Sequence, residues 1–251
     1  MIKPLTINNI TFGKGLPKIC IPVMGATEEE IIESAQALSE YKYDVAEWRM
    51  DYYNDVMTPE LVTPVLKKLR EITAGKLLLT TFRTGREGGE KTISSSYYKH
   101  LNLLAAKSGF ADLVDVELFT GDDIVISLVE EIHESGAFVI ISNHDFQKTP
   151  AKNTIIERLT KMQALGADIA KIAVMPNTPE DVLTLLSATS EMNNLPDGKP
   201  IISMSMGKLG LISRLSGSIF GSAMTFGSAG KASAPGQIDA HKLYDILHLI
   251  G

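Results

Sequence analysis

Short runs rich in Val, Ile, Leu and Phe alternate eight times with longer stretches of helical periodicity along this chain. Repeated β-then-α units demand a parallel sheet, because parallel neighbours need a crossover and a helix is the usual one. The predicted strands are Lys18–Val23, Val45–Met50, Leu77–Arg83, Leu113–Leu118, Phe138–Asn143, Ile169–Met175, Pro200–Met206 and Ser222–Phe226. Their near-continuous apolar character suits strands buried on both faces. The helices between them are predicted over Thr27–Glu40, Pro59–Ala74, Ser95–Ser108, Asp122–Glu134, Thr154–Leu165, Pro179–Glu191, Leu209–Leu215 and Ile238–Ile250. Thr27 with Glu30 has capping-box spacing, Pro179 after Thr178 suits a first helical position, and Gly109, Gly136 and Gly166 follow helices where a left-handed terminator is wanted.

Such a sheet either closes into a barrel or stays open and doubly wound. Closure is favoured by the count of eight, and by 251 residues against the roughly 250 of a barrel. Polar residues also recur late in many different strands, and no GxGxxG follows the first strand, as an open dinucleotide-binding sheet would require. Ahead of the first strand, Leu5–Asn8 and Ile10–Phe12 flank a polar turn and read as a hairpin that plugs the bottom. The expected fold is a (β/α)8 TIM barrel with this N-terminal hairpin, one catalytic domain over residues 1–251.

A net charge of −6 argues against nucleic acid, which needs a clustered basic face. The N-terminus lacks the apolar stretch of a signal peptide, and no apolar run approaches the ~18 residues of a membrane span. A cytoplasmic protein is expected, so Asn9-Ile10-Thr11 is not read as a glycosylation site. The single cysteine, Cys20, cannot form an intramolecular disulfide and sits in an apolar run as a small hydrophobe.

Side chains alternate faces along a strand, and in a barrel one face fills the interior. In the second strand Ala46, Trp48 and Met50 suit the helix layer, which turns Glu47, Arg49 and Asp51 inward. In the sixth, Ile172 and Val174 face the helices and Lys171 points inward below small Ala173. A lysine in such apolar sequence is costly to bury as a cation; desolvation exposes a nucleophilic amine, as Schiff-base enzymes require. Arg83 ends the third strand with Glu87 just beyond it, Asp115 and Glu117 share a parity in the fourth, and His144 follows Ser142 inward in the fifth. Arg214 lies in the helical segment after the seventh. Catalytic groups of barrel enzymes gather at these strand ends. His100, His133, His241 and His248 fall within helices and are read as surface or packing residues. Gly88-Gly89 is not followed by G-K-[ST], so it is not a P-loop. The small, polar stretch from Gly227 to Gln237 reads as a lid or as a phosphate loop, and composition does not choose between them.

Glu47-Trp48-Arg49-Met50-Asp51, Thr81-Phe82-Arg83 with Glu87-Gly88-Gly89, Ser142-Asn143-His144-Asp145-Phe146, Ala170-Lys171-Ile172-Ala173, Met204-Ser205-Met206-Gly207, Ser213-Arg214 and Ser233-Ala234-Pro235-Gly236-Gln237 together resemble the type I 3-dehydroquinate dehydratases of the shikimate pathway. The resemblance runs over essentially the whole chain. It implies that Lys171 forms an imine with the C3 ketone of 3-dehydroquinate, that His144 removes the C2 proton and protonates the departing C1 hydroxyl, and that Glu87 orients His144. It further implies that Arg214 clamps the substrate carboxylate and that Ser233 and Gln237 close over the substrate. Glu47, Arg49 and Arg83 would bind ring hydroxyls, with Met204 and Met206 as apolar walls. It implies no metal or organic cofactor and a homodimer. The rivals are a class I aldolase, disfavoured by Arg214 and the Ser-Ala-Pro-Gly-Gln stretch; a metal-dependent isomerase using Glu47, Asp51, Glu117 and His144, which leaves Lys171 idle; and a non-catalytic metabolite-binding barrel, which needs no nucleophile.

Overall fold

A computed structural model describes residues 2–230 and 233–251. Its barrel strands are β3 (Lys18–Val23), β4 (Val45–Arg49), β5 (Leu77–Thr81), β6 (Leu113–Glu117), β7 (Phe138–Asp145), β8 (Ile169–Val174), β9 (Ile201–Ser205) and β10 (Met224–Ser228). All are parallel, paired in chain order from β3 to β9, with β10 returning beside β3. Closure between β9 and β10 is thin. It consists of a bridge between Ile201 and Ser222, with Ala223 N donating to Ile201 O at 2.8 Å and the Ser222 hydroxyl accepting from Ser203 N at 3.0 Å. The last strand starts at Met224 and not at Ser222 as predicted, because its ladder with β3 begins with Met224 opposite Lys18, while Ser222 makes only the isolated bridge to Ile201.

The outer layer comprises α1 (Glu28–Gln36), α2 (Pro59–Ile72), α3 (Ser95–Lys107), α4 (Asp122–Glu134), α5 (Lys152–Ala164), α6 (Pro179–Asn193), α7 (Leu211–Leu215), α8 (Gly217–Phe220) and α9 (Ala240–Ile250). Thr27 caps α1 by accepting from Glu30 N, and Thr178 with Asp181 forms the reciprocal capping box of α6. Several predicted helix ends move, α5 starting at Lys152 and α7 at Leu211 among them, and at two of them other structure takes over. Helix α1 stops at Gln36, with a 3-10 turn over Ala37–Glu40. Ile238 and Asp239 form a short strand, β11, beside β10, and the Asp239 carboxylate then caps α9 through His241 N and Lys242 N.

The hairpin of β1 (Leu5–Ile7) and β2 (Ile10–Phe12) is present. Asn8 takes φ +52 at its turn, a region asparagine tolerates, and its amide reaches Asp112 at 3.2 Å. Ile7, Ile10 and Phe12 pack into one cluster with Cys20, Val45, Leu77, Leu113, Ile140, Ile169 and Ile202, so the hairpin closes the bottom of the barrel. Strand parity divides the interior from the helix layer as read from the sequence. Ala46, Trp48 and Met50 belong to the outer cluster, as do Ile172 and Val174.

A second pattern on the bottom face escaped the sequence reading. Asp44, Asp112 and Asp168 each precede a strand, and each carboxylate accepts from a main-chain N–H of the preceding strand: Ile19 at 2.8 Å, Leu78 at 2.7 Å and Val139 at 2.8 Å. These bonds pin strand pairs in register at the end opposite the site, so the top is free to carry chemistry.

Candidate active site

Five inward rows pass from apolar to polar. Val45 leads to Glu47 and Arg49, Leu79 to Thr81, Leu113 to Asp115 and Glu117, Ile140 to Ser142 and His144, and Ile169 to Lys171. Two residues of climb along a strand therefore carry the interior from a dry core to a pocket at the top. Glu47, Arg49, Arg83, Glu87, His144, Lys171, Arg214 and Ser233 all line it, with Met204, Met206 and Phe226 as its apolar wall.

Lys171 lies opposite Ser142 of β7, and His144 stands one inward step above Ser142, opposite Ala173. Amine and imidazole thus occupy adjacent strands, one step apart. Lys171 is buried, at 3% exposure. The apolar surroundings read from its sequence neighbours are corrected, because those neighbours face the helices. The amine itself donates to Asp115 at 3.2 Å, lies 3.9 Å from Glu47 and sits 4.6 Å from the centroid of the Phe226 ring. Thr81 donates to the same Glu47 oxygen at 2.9 Å.

Glu87 closes a 3-10 turn after β5. Its Oε2 accepts from the His144 main-chain N at 2.9 Å and lies 3.0 Å from His144 Nδ1, while Oε1 accepts from Asn143 Nδ2 at 3.2 Å. A carboxylate on Nδ1 sets the tautomer that leaves the Nε2 lone pair for a ligand. Burial and the cations Arg83, Lys171 and Arg49 hold the His144 imidazolium well below the ordinary 6.5, so the ring is neutral near pH 7. Burial pushes Glu87 up to about 7, with Arg83 opposing and Glu117 assisting. The two glycines after Glu87 have a packing cause. A Cβ on Gly88 would meet the Phe146 ring at 2.4 Å, and one on Gly89 would meet Arg83 O at 1.8 Å.

The three arginines differ in a way the sequence did not reveal. Arg49 is bound bidentately to Asp51, at 2.8 and 2.7 Å. Arg83 donates to Asp115 at 2.8 Å, to Glu117 at 2.9 Å and to Ser142 at 3.1 Å, and lies 3.7 Å from Glu87. Burial works to raise the Asp115 carboxyl, but Arg83 and Lys171 hold it below its ordinary value. Arg214 is 1% exposed and makes no salt bridge among the described residues. It donates to Pro235 O at 3.0 Å, its Nε has no partner, and burial brings it down to about 10. A buried guanidinium facing a cavity without a counter-charge is a site for an anion.

The stretch after β10 folds over this cation: Pro235 O also accepts from Gly207 N at 3.2 Å. Lys231 and Ala232 of the predicted lid lie outside the described residues. Gln237 does not line the cavity. Its side chain bonds Ser233 twice, accepting from the main-chain N at 2.8 Å and donating to the hydroxyl at 2.9 Å. The isomerase ligand set is not assembled: Asp51 is taken by Arg49, and Glu117 by Arg83 and Thr84. Among the described residues no group of three or more His, Cys, Asp or Glu is arranged to hold a metal ion, and no helix is long and apolar enough to cross a membrane. Asp115 and Ser142 were read as inward-facing without a role, and Thr81 and Phe226 were not singled out for the site by the sequence reading. Inward parity was their available signal.

Fold and side chains together define a (β/α)8-barrel enzyme with a buried amine, a neutral imidazole and an uncompensated guanidinium at one mouth. The profile of the family described as Type I 3-dehydroquinase matches residues 19–251. The chain is 51% identical over 245 residues to a 3-dehydroquinate dehydratase of Clostridium kluyveri, covering 97% of this chain and 96% of that one. It is 49% identical over 249 residues to that of Salmonella typhimurium, covering 99% of each. The crystal structure of the type I 3-dehydroquinate dehydratase of Clostridium difficile with covalently modified comenic acid superposes with a TM-score of 0.96 at 48% identity, covering 100% of this chain and 98% of that one. The chain belongs to the type I 3-dehydroquinases, which are hydro-lyases.

Proposed function

We propose that the enzyme dehydrates 3-dehydroquinate to 3-dehydroshikimate through an imine on Lys171, in the route to chorismate and the aromatic amino acids. The observation that carries this reading is the placement of one buried amine and one imidazole on adjacent strands of a single cavity. The Lys171 nitrogen adds to the C3 carbonyl, and loss of water gives a protonated imine that draws electrons from the adjacent C2–H bond. His144 Nε2 takes the C2 proton and the C–H pair passes into an enamine. The enamine then expels the C1 hydroxyl, which leaves as water with the proton from His144, a syn elimination. Hydrolysis of the product imine returns Lys171. Both carboxylates near the amine, Asp115 and Glu47, are within reach to hold the nitrogen while it is a cation.

Arg214 receives the substrate carboxylate, since it is the cavity arginine without an acidic partner among the described residues. Arg49 and Arg83 are already ion-paired and present their remaining N–H groups to hydroxyls, beside Glu47. Ser233 reaches the substrate directly and Gln237 acts by holding Ser233. Borohydride added with 3-dehydroquinate is expected to fix a covalent adduct on Lys171 and to abolish activity. A peptide map showing Lys171 unmodified would remove the imine from the mechanism.

A further inference from the structure

Behind the imidazole a chain of hydrogen bonds leaves the barrel. Asn143 lies between Ser142 and His144 on β7, so its side chain takes the outward parity. It is buried, yet both ends of its amide are satisfied: Nδ2 donates to Glu87 Oε1 at 3.2 Å, and Oδ1 accepts from Arg158 Nη1 of α5 at 2.9 Å. Arg158 makes no salt bridge among the described residues, and its guanidinium carbon sits 5.4 Å from the centroid of the Phe119 ring. It does not line the catalytic cavity.

An amide can turn over, exchanging its oxygen and nitrogen, at little cost to its shape. A guanidinium has donors only, so Arg158 accepts one orientation of the amide and excludes the other. That orientation is the one that gives Glu87 an N–H. The reversed amide would set Oδ1 against the Glu87 carboxylate. Glu87 in turn grips His144 at two hydrogens, on its main-chain N and on Nδ1. The relay therefore runs from Arg158 through Asn143 and Glu87 to the ring.

We propose that Arg158, on the outer helix layer, is a positioning residue for the proton-transfer step: by locking the Asn143 amide it holds Glu87 in the plane that orients His144. The inference rests on the reading that His144 carries the proton. Its stake is the alignment of a general base, whose whole effect is of order 10²–10⁴, so loss of the lock costs roughly tenfold in kcat.

The test compares Arg158→Met, which keeps the bulk and removes the donor, with Arg158→Lys, which keeps a donor. Arg158→Met is expected to lose roughly tenfold in kcat with KM within about twofold, since only the transition state feels the misaligned base. Arg158→Lys is expected to recover most of the loss. Borohydride trapping on Lys171 stays at the wild-type level in both. In an Asn143→Ala background Arg158→Met adds no further loss; if Asn143→Ala does not fold, Glu87→Gln serves as the background with the same expectation. Wild-type kcat in Arg158→Met, a change confined to KM, equal losses in Met and Lys variants, or additive losses in the double variant would each overturn the proposal while leaving the imine mechanism standing. No Lys171 adduct in the wild type, or full turnover by His144→Ala, would overturn the parent reading and this proposal with it.

Discussion

One oxygen of Glu87 meets two nitrogens of His144, the main-chain N at 2.9 Å and Nδ1 at 3.0 Å. The carboxylate is thereby fixed against the backbone that carries the ring, so the imidazole cannot rotate without losing its Nδ1 bond to a carboxylate that its own strand holds in place. The anchor is worth having because the ring is buried among cations and would otherwise be free to choose a tautomer.

The pH dependence of activity should report this setting. Burial, Arg83, Lys171 and Arg49 all disfavour the imidazolium of His144. With His144 as the proposed base, its protonation is expected to cut kcat/KM only below the ordinary histidine value of 6.5. A His144 ring that titrates at or above that value by NMR would show that the imidazole does not behave as the site geometry requires.

Stability should fall with rising pH through Glu87. Its folded value of about 7 exceeds the ordinary 4.5, so the folded chain binds the proton more tightly than the unfolded one. That contribution is fully present below pH 4.5 and is lost as pH rises through about 7, a change of about 3 kcal/mol. His144, depressed, acts in the opposite sense and loses stability as pH falls below 6.5. Comparing melting temperatures of wild type and Glu87→Gln at pH 5 and pH 8 isolates the glutamate. Wild type is expected to lose ground to the variant at the higher pH, by roughly 6–12 °C for a chain of this size. A gap that does not change with pH would show that Glu87 titrates normally.

Arg83 is the central counter-ion of the upper barrel, meeting Asp115, Glu117 and Glu87 from a position 4% exposed. Arg83→Met leaves buried carboxylates without their cation, which costs about 3–5 kcal/mol. Calorimetry should show a large drop in melting temperature together with loss of activity. An unchanged melting temperature would mean that these acids are compensated elsewhere.

Arg214 should behave in the opposite way. It is a buried cation without an acidic partner among the described residues, and burial alone lowers it to about 10. Arg214→Met removes that unfavourable charge and is expected to raise the melting temperature by a few degrees, while KM rises by roughly a hundredfold because the proposed anchor of the substrate carboxylate is lost. A variant that melts lower and keeps its KM would remove Arg214 as the anion site.

Much of this site was legible before any coordinates. Alternation eight times over announced a parallel barrel, and parity along single strands turned Glu47, Arg49, Asp115, Glu117, His144 and Lys171 inward, because side-chain alternation is a local property of an extended backbone. The motifs around those positions carried the family resemblance. What one strand cannot disclose is who sits across from whom. Arg49, Arg83 and Arg214 look alike in sequence, yet one is held by Asp51 two residues away, one by acids more than thirty residues away, and one has no acidic partner among the described residues. The Lys171 amine reads as apolar from its neighbours and is polar in fact, since its partners arrive from β4 and β6. The seam at Ser222, the aspartates of the bottom face and the Arg158–Asn143–Glu87 relay were invisible for the same reason. Backbone periodicity determines the face a side chain takes, whereas its hydrogen-bond partners and its charge balance are set by strands and helices that only closure of the barrel brings together.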